Sequence, residues 1–205
     1  MPLSGSGSAL AVAVLSTLGN PDPAAVAAFA AFGDTVCSWL VTYAQCTPGA
    51  AVGGLTAAGA AVTGLGGLSV PAGPDDAAAF GAQLAAAVGD PSALGEGVWT
   101  RWAAAFLAHV NSFGAVTPAL FVAPTPSGGP LTGTGLVTFT SKAISTAAAI
   151  GLVDPAAALM EDAFSAAVLV HIEAAALVSP ISHTPPVAFT APPGGGPITG
   201  FGSLT

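Results

Sequence analysis

Apolar residues in this chain come in long runs with few polar breaks. The run Ala24-Ala25-Val26-Ala27-Ala28-Phe29-Ala30-Ala31-Phe32 would cover every face of a helix. Helices apolar all round are buried in a large core, in an assembly or in a bilayer. Polar residues interrupt three such stretches: Asp34 in the first, Arg101 and His109 in the second, Glu161, Asp162, His171 and Glu173 in the third. Such groups are costly at the centre of a bilayer. The runs predict helices over about residues 8–18, 23–45, 76–88, 91–112, 141–150 and 155–178.

Each short helix is expected to stop at a glycine and each long one to start at an Asp-Pro pair. The junctions are Gly19 with Asp22-Pro23, Gly89 with Asp90-Pro91, and Gly151 with Asp154-Pro155. Glycine past a helix end takes left-handed backbone without a Cβ penalty. Aspartate accepts hydrogen bonds from the first orphan amides of a helix, and proline suits the first turn. Asp22, Asp90 and Asp154 are therefore the expected helix caps. They recur 68 and then 64 positions apart by residue number. Thr47-Pro48, Thr117-Pro118 and Ser179-Pro180 follow the long helices at similar offsets. Recurring punctuation at a near-fixed interval marks an internal repeat. The expected fold is mainly α with short extended or β arms, built of three tandem helical-hairpin repeats of about 65 residues. The units would cover residues 1–70, 71–129 and 130–205, the last with an extended C-terminal arm.

A further motif, Pro-Leu/Ile-Ser/Thr-Gly-x-Gly, starts at Pro2, Pro130 and Pro197. The middle copy leads into Leu136-Val137-Thr138-Phe139-Thr140, whose β-branched and aromatic residues favour a strand. The last copy has no helices after it. Pro197, Ile198, Thr199, Gly200 and Phe201 therefore read as an arm that adds a strand to an edge of the same or a neighbouring subunit. Residues 48–70 are long enough to cross a membrane, but their many glycines point to loop or strand.

Composition narrows the function. Only 6% of residues are charged and 53% are hydrophobic, and mean hydropathy is +0.78. A dispersed monomer normally carries a charged surface, so much of this one is expected to be covered. The formal net charge is −8, with Arg101 and Lys142 the only basic residues. That leaves too few cations for nucleic acid and none for a polybasic membrane patch. Met1-Pro2-Leu3-Ser4-Gly5 lacks the basic start of a secretory signal. The expected location is an assembled particle, formed from protein made in the cytoplasm.

Candidate chemistry is sparse. Cys37 and Cys46 fit no redox or zinc spacing and read as buried thiols. His109, and His171 with Glu173, would need further ligands to hold a metal, and hydrogen-bonded structural roles are the expectation. Glu161 and Asp162 are neighbours on a helix and point apart, so they form no acid/base dyad. Pairing with Arg101 or Lys142 is the alternative for them. Trp39, Trp99 and Trp102 read as fillers of gaps left by alanine. No catalytic residue, cofactor site or metal site is assigned. The reading is a non-enzymatic structural subunit of a virion or phage-like particle, as capsid decoration, neck, tail or baseplate. Its partners would be further copies of itself and other structural subunits. The rivals are a membrane-associated protein with apolar helices in lipid, and a small ligand-binding module or enzyme with an unrecognised site.

Overall fold

The chain reverses at three glycines. Gly19, Gly89 and Gly151 have φ of 74°, 80° and 84°, the left-handed region where a Cβ is penalised. The computed structural model describes residues 3, 5–19, 22–46, 50–56, 59–63, 66–122, 132–179, 196–197 and 203–205. Each glycine joins a shorter helix to a longer one: α1 (Gly7–Thr17) to α2 (Pro23–Tyr43), α3 (Pro74–Ala87) to α4 (Ala93–Phe113), and α5 (Thr146–Ile150) to α6 (Pro155–Ala175). The three longer helices have 21 residues each. The protein is mainly helical, with a small curled antiparallel sheet.

The helix starts follow local chemistry. Asp22 accepts hydrogen bonds from the amides of Ala24 and Ala25, at 2.8 and 3.3 Å. Asp154 accepts one from Ala157 at 2.8 Å. Asp90 departs from the expectation. Ser92 caps α4, accepting from the Gly95 amide at 3.1 Å, and Asp90 accepts the Ser92 hydroxyl proton at 2.7 Å. The serine lies next to the first helical residue and the aspartate does not, so the helix begins two residues later than the Asp-Pro pair suggests. The helix expected over 141–150 shortens to α5. Ahead of it the Ser141 hydroxyl accepts from the Ala143 amide, a local bond that competes with helix.

Each long helix ends in an extended residue, Ala44, Gly114 or Ala176, whose amide still bonds four residues back. The chain then enters a strand: β1 (Gln45–Cys46), β5 (Gly114–Val122) or β7 (Leu177–Ser179). This exit stops α6 short of the expected residue 178. Residues 48–70 supply β2 (Ala50–Thr56), β3 (Gly59–Thr63) and β4 (Gly66–Ser69), and β6 (Thr132–Phe139) precedes α5. The tail supplies β8 (Gly196–Pro197) and β9 (Ser203–Leu204). β4 pairs with β1 and β5, β6 with β5 and β7, and β9 with β7. β9 also lies against β1 and α2, which curls the sheet. Cys46 opposite Leu68, Val116 opposite Val137, and Val178 opposite Leu204 are all buried pairs.

The described ends of the C-terminal arm pair within the chain itself, β8 on β2 and β9 on β7. Of the expected arm residues, Pro197 lies in β8, and Ile198, Thr199, Gly200 and Phe201 fall outside the described residues.

The helices interlock: α1 packs on α2 and α6, α3 on α4 and α2, and α5 on α6 and α4. Glycine permits the tightest approach. A Cβ on Gly33 of α2 would collide with the backbone of Gly7 in α1. At the centre, Phe32, Trp102 and Phe164, each the tenth residue of its helix, touch one another with ring centroids 5.2 to 6.3 Å apart. Meeting at equal depth, with all three C-terminal ends feeding one sheet, means that the long helices run in the same direction. Full burial of each such side chain contributes about 1.5–3 kcal/mol.

Candidate functional site

The N-terminal ends of α2, α4 and α6 lie together, opposite the sheet. Between them is an open groove of about 400 Å³, lined by Leu18, Phe29, Trp99, Leu152, Met160 and Phe164, with Glu161 its one ionisable group. Phe29, Trp99 and Glu161 are each the seventh residue of their helix. Where two helices present an aromatic ring, the third presents a carboxylate.

A hydrogen-bond chain leads to that carboxylate from the core. The Trp102 indole donates to Ser165 Oγ at 3.0 Å. The Ser165 and Thr146 hydroxyls share a bond of 2.7 Å. Thr146 Oγ1 donates to Glu161 Oε1 at 3.3 Å. Burial pushes the Glu161 carboxyl above its ordinary range, the bonds from Thr146, Trp102 and Ser165 oppose the shift, and the neighbouring charge of Asp162 adds to it. Asp162 points elsewhere and accepts from the Ala147 amide at 3.0 Å.

Large apolar side chains stand in solvent at this same end. Val153 is 95% exposed, Leu94 79%, Leu159 74% and Met160 57%. They belong to the loop before α6 and to the opening turns of α4 and α6. Asp22, Asp90, Glu96 and Asp154 sit among these helix starts, where the helix dipole favours negative charge. With Glu161 and Asp162 they make six of the chain's ten acidic residues.

The other sequence candidates are engaged elsewhere. Lys142 pairs with Glu173 Oε2 at 2.5 Å, so it is not the partner of Glu161 or Asp162. Thr138 Oγ1 also donates to Glu173, at 3.1 Å. Arg101 is exposed and makes no ion pair among the described residues. His109 Nε2 donates to the Ser141 carbonyl at 2.9 Å. His171 Nε2 lies 3.2 Å from Ser6 Oγ, and burial lowers its pKa. Among the described residues no three His, Cys, Asp or Glu side chains gather as a metal site.

Ser6, His171 and Cys37 do come together, with Ser6 Oγ 3.4 Å from Cys37 Sγ. A nucleophile must reach substrate and give its proton to a base. Ser6 is 2% exposed, and its hydroxyl donates to the Leu3 carbonyl at 2.8 Å. The cluster ties the N-terminus to α2 and α6. Cys37 and Cys46 are both buried free thiols. Burial raises the Cys37 pKa and pushes that of Cys46 up to about 12. Trp102 is in the core, Trp39 stacks on Phe80 with centroids 4.7 Å apart, and Trp99 lines the groove.

Comparison with protein-family models, curated proteins and solved structures gives no match for this chain. The functional reading rests on its own geometry. Sequence reasoning passed over Ser92, Thr146 and Ser165, whose roles come from contacts. The groove had a partial signal in Leu152-Val153 and Leu159-Met160, apolar pairs flanking a helix start.

Proposed function

We propose that this chain is a non-enzymatic structural subunit of a large protein assembly, most specifically a virion or phage-like particle component such as a capsid-decoration, neck, tail or baseplate protein. The observation that carries the reading is the bare apolar end: Met160 and Val153 stand in water at an apolar groove, and Leu94 and Leu159 are exposed on other faces of the same helix starts. Exposed apolar surface of this kind marks an interaction site. Alanine-rich outer helix faces support the same reading. Ala27, Ala28 and Ala31 of α2 and Ala104 and Ala108 of α4 are exposed, so the surface has little charge to keep it apart from neighbours.

The proposed architecture behind this role is a triplication of the helical hairpin with its strands. The caps Asp22, Ser92 and Asp154 each lie 22 residues before the extended residues Ala44, Gly114 and Ala176. Leu68, Val137 and Leu204 oppose the buried strand residue two positions beyond each of these. A chain of three alike units can occupy a threefold position in a particle as one copy where a trimer would otherwise sit.

The experiment is sedimentation of the purified protein without detergent. Large soluble particles, alone or on adding the remaining subunits, are the expected result, and a monodisperse monomer under both conditions overturns the reading. The membrane alternative draws on α2 and α6, which are long and apolar enough to cross a bilayer by length and composition. Both also hold the protein core through Phe32 and Phe164. Solubility only in detergent would favour that alternative.

A further inference from the structure

We infer that the groove between the starts of α2, α4 and α6 seats a segment of a different protein chain, one that carries apolar side chains and a Lys or Arg. The inference deepens the assembly reading and rests on it for the occupant being a protein. Three observations select the occupant.

The lining is apolar except for one carboxylate. Phe29, Trp99 and Phe164 supply aromatic rings to it, and Glu161 stands among them with no cation beside it among the described residues. A partly buried carboxylate without a counter-charge favours an incoming cation, and Trp and Phe faces attract one as well. A Lys or Arg with an apolar stem satisfies both features at once.

The rim is acidic. Asp22, Asp90, Glu96 and Asp154 lie among the helix starts. A second copy of this chain would set the same carboxylates against these, and like charges facing each other across an interface are costly. A copy's Lys142 is already paired with Glu173, which leaves its Arg101 as a single cation against these four carboxylates. The partner is therefore a basic segment of another subunit.

The exposed apolar surface continues past the groove lining. Met160 of the lining is 57% exposed, and Val153, next to Leu152 of the lining, is 95% exposed. A small amine would fill the groove and leave Val153 wet, whereas a segment with several apolar side chains covers both.

The test titrates the intact protein with a synthetic amphipathic Leu/Lys helix of about 18 residues, read by the fluorescence of Trp99 at the groove. Saturable one-to-one binding is expected. Glu161→Gln, which keeps an acceptor for Thr146 and Ser165, should weaken it by about tenfold or more. Met160→Lys, which removes an apolar wall and sets a like charge against the peptide, should weaken it as well. Near-ultraviolet circular dichroism establishes that each variant is folded, and Met160→Lys carries the test should Glu161→Gln fail to fold. Equal binding of a peptide with Ser in place of Leu would show charge attraction alone and overturn the inference. So would undiminished affinity in both variants, binding of dodecylamine with none of the peptide, or binding of phosphatidylcholine vesicles instead of the peptide. Sedimentation separates the two readings. Particles of wild-type size from a protein that ignores the peptide overturn the groove assignment and leave the assembly reading standing.

Discussion

Phe32 of α2 and Trp102 of α4 meet edge to face, with ring centroids 5.7 Å apart and planes at 72°. Phe164 of α6 closes the triangle, 5.2 Å from Phe32 and 6.3 Å from Trp102. The three rings join the three long helices below the groove. Phe32→Ala should therefore destabilise the protein by about 3–5 kcal/mol, measured by chemical denaturation. Ala27→Ser, on the exposed face of the same helix, should stay within about 0.5 kcal/mol of wild type. Similar effects at the two sites would mean that the ring cluster is not the point where the helices are joined.

The caps make a sharper set. Asp22→Ala, Ser92→Ala and Asp154→Ala should each lose about 1 kcal/mol by thermal denaturation. Asp90→Ala should lose less than Ser92→Ala, because Asp90 holds the serine hydroxyl and not a helix amide. An Asp90 effect equal to or larger than that of Ser92 would return the cap of α4 to the aspartate.

Glu161 gives a pH dependence of defined sign. Its carboxyl is raised above the ordinary value of 4.5, chiefly by burial. The folded protein thus holds that proton more tightly than the unfolded chain. The stability from this group is fully present below the unfolded value and is lost as pH rises through the folded one. Glu161→Gln should melt close to wild type at about pH 4 and above it at about pH 7. A difference in melting temperature that does not change with pH would contradict the burial of this carboxylate.

The C-terminus should matter to the fold itself. Leu204 is 1% exposed, pairs with Val178 and belongs to a strand that touches α2. Leu204→Ala should cost roughly 2–5 kcal/mol in the isolated protein. Removal of residues 203–205 should lower the melting temperature by at least as much as that substitution. A truncated protein that melts like wild type would make the tail an arm alone, as the sequence suggested.

The sequence by itself determined the helix reversals. Gly19, Gly89 and Gly151 were legible because left-handed backbone favours glycine through sterics internal to the residue. Asp22 and Asp154 were legible because a cap needs only the next few amides. The mainly helical class followed from the long apolar runs, and strand β6 from Val137, Thr138 and Phe139. Tertiary structure decided what depends on partners distant in the chain. Leu177 and Val178 left α6 for the sheet because β6 and β9 offered them hydrogen bonds. Lys142 went to Glu173, and Glu161 joined Thr146 of α5 and, through Ser165 of its own helix, Trp102 of α4. The groove exists only because three helix starts converge. An apolar run states that its residues avoid water, but which of them are covered depends on what the fold brings alongside, and at Val153, Leu94 and Leu159 it brings nothing from the described residues of this chain.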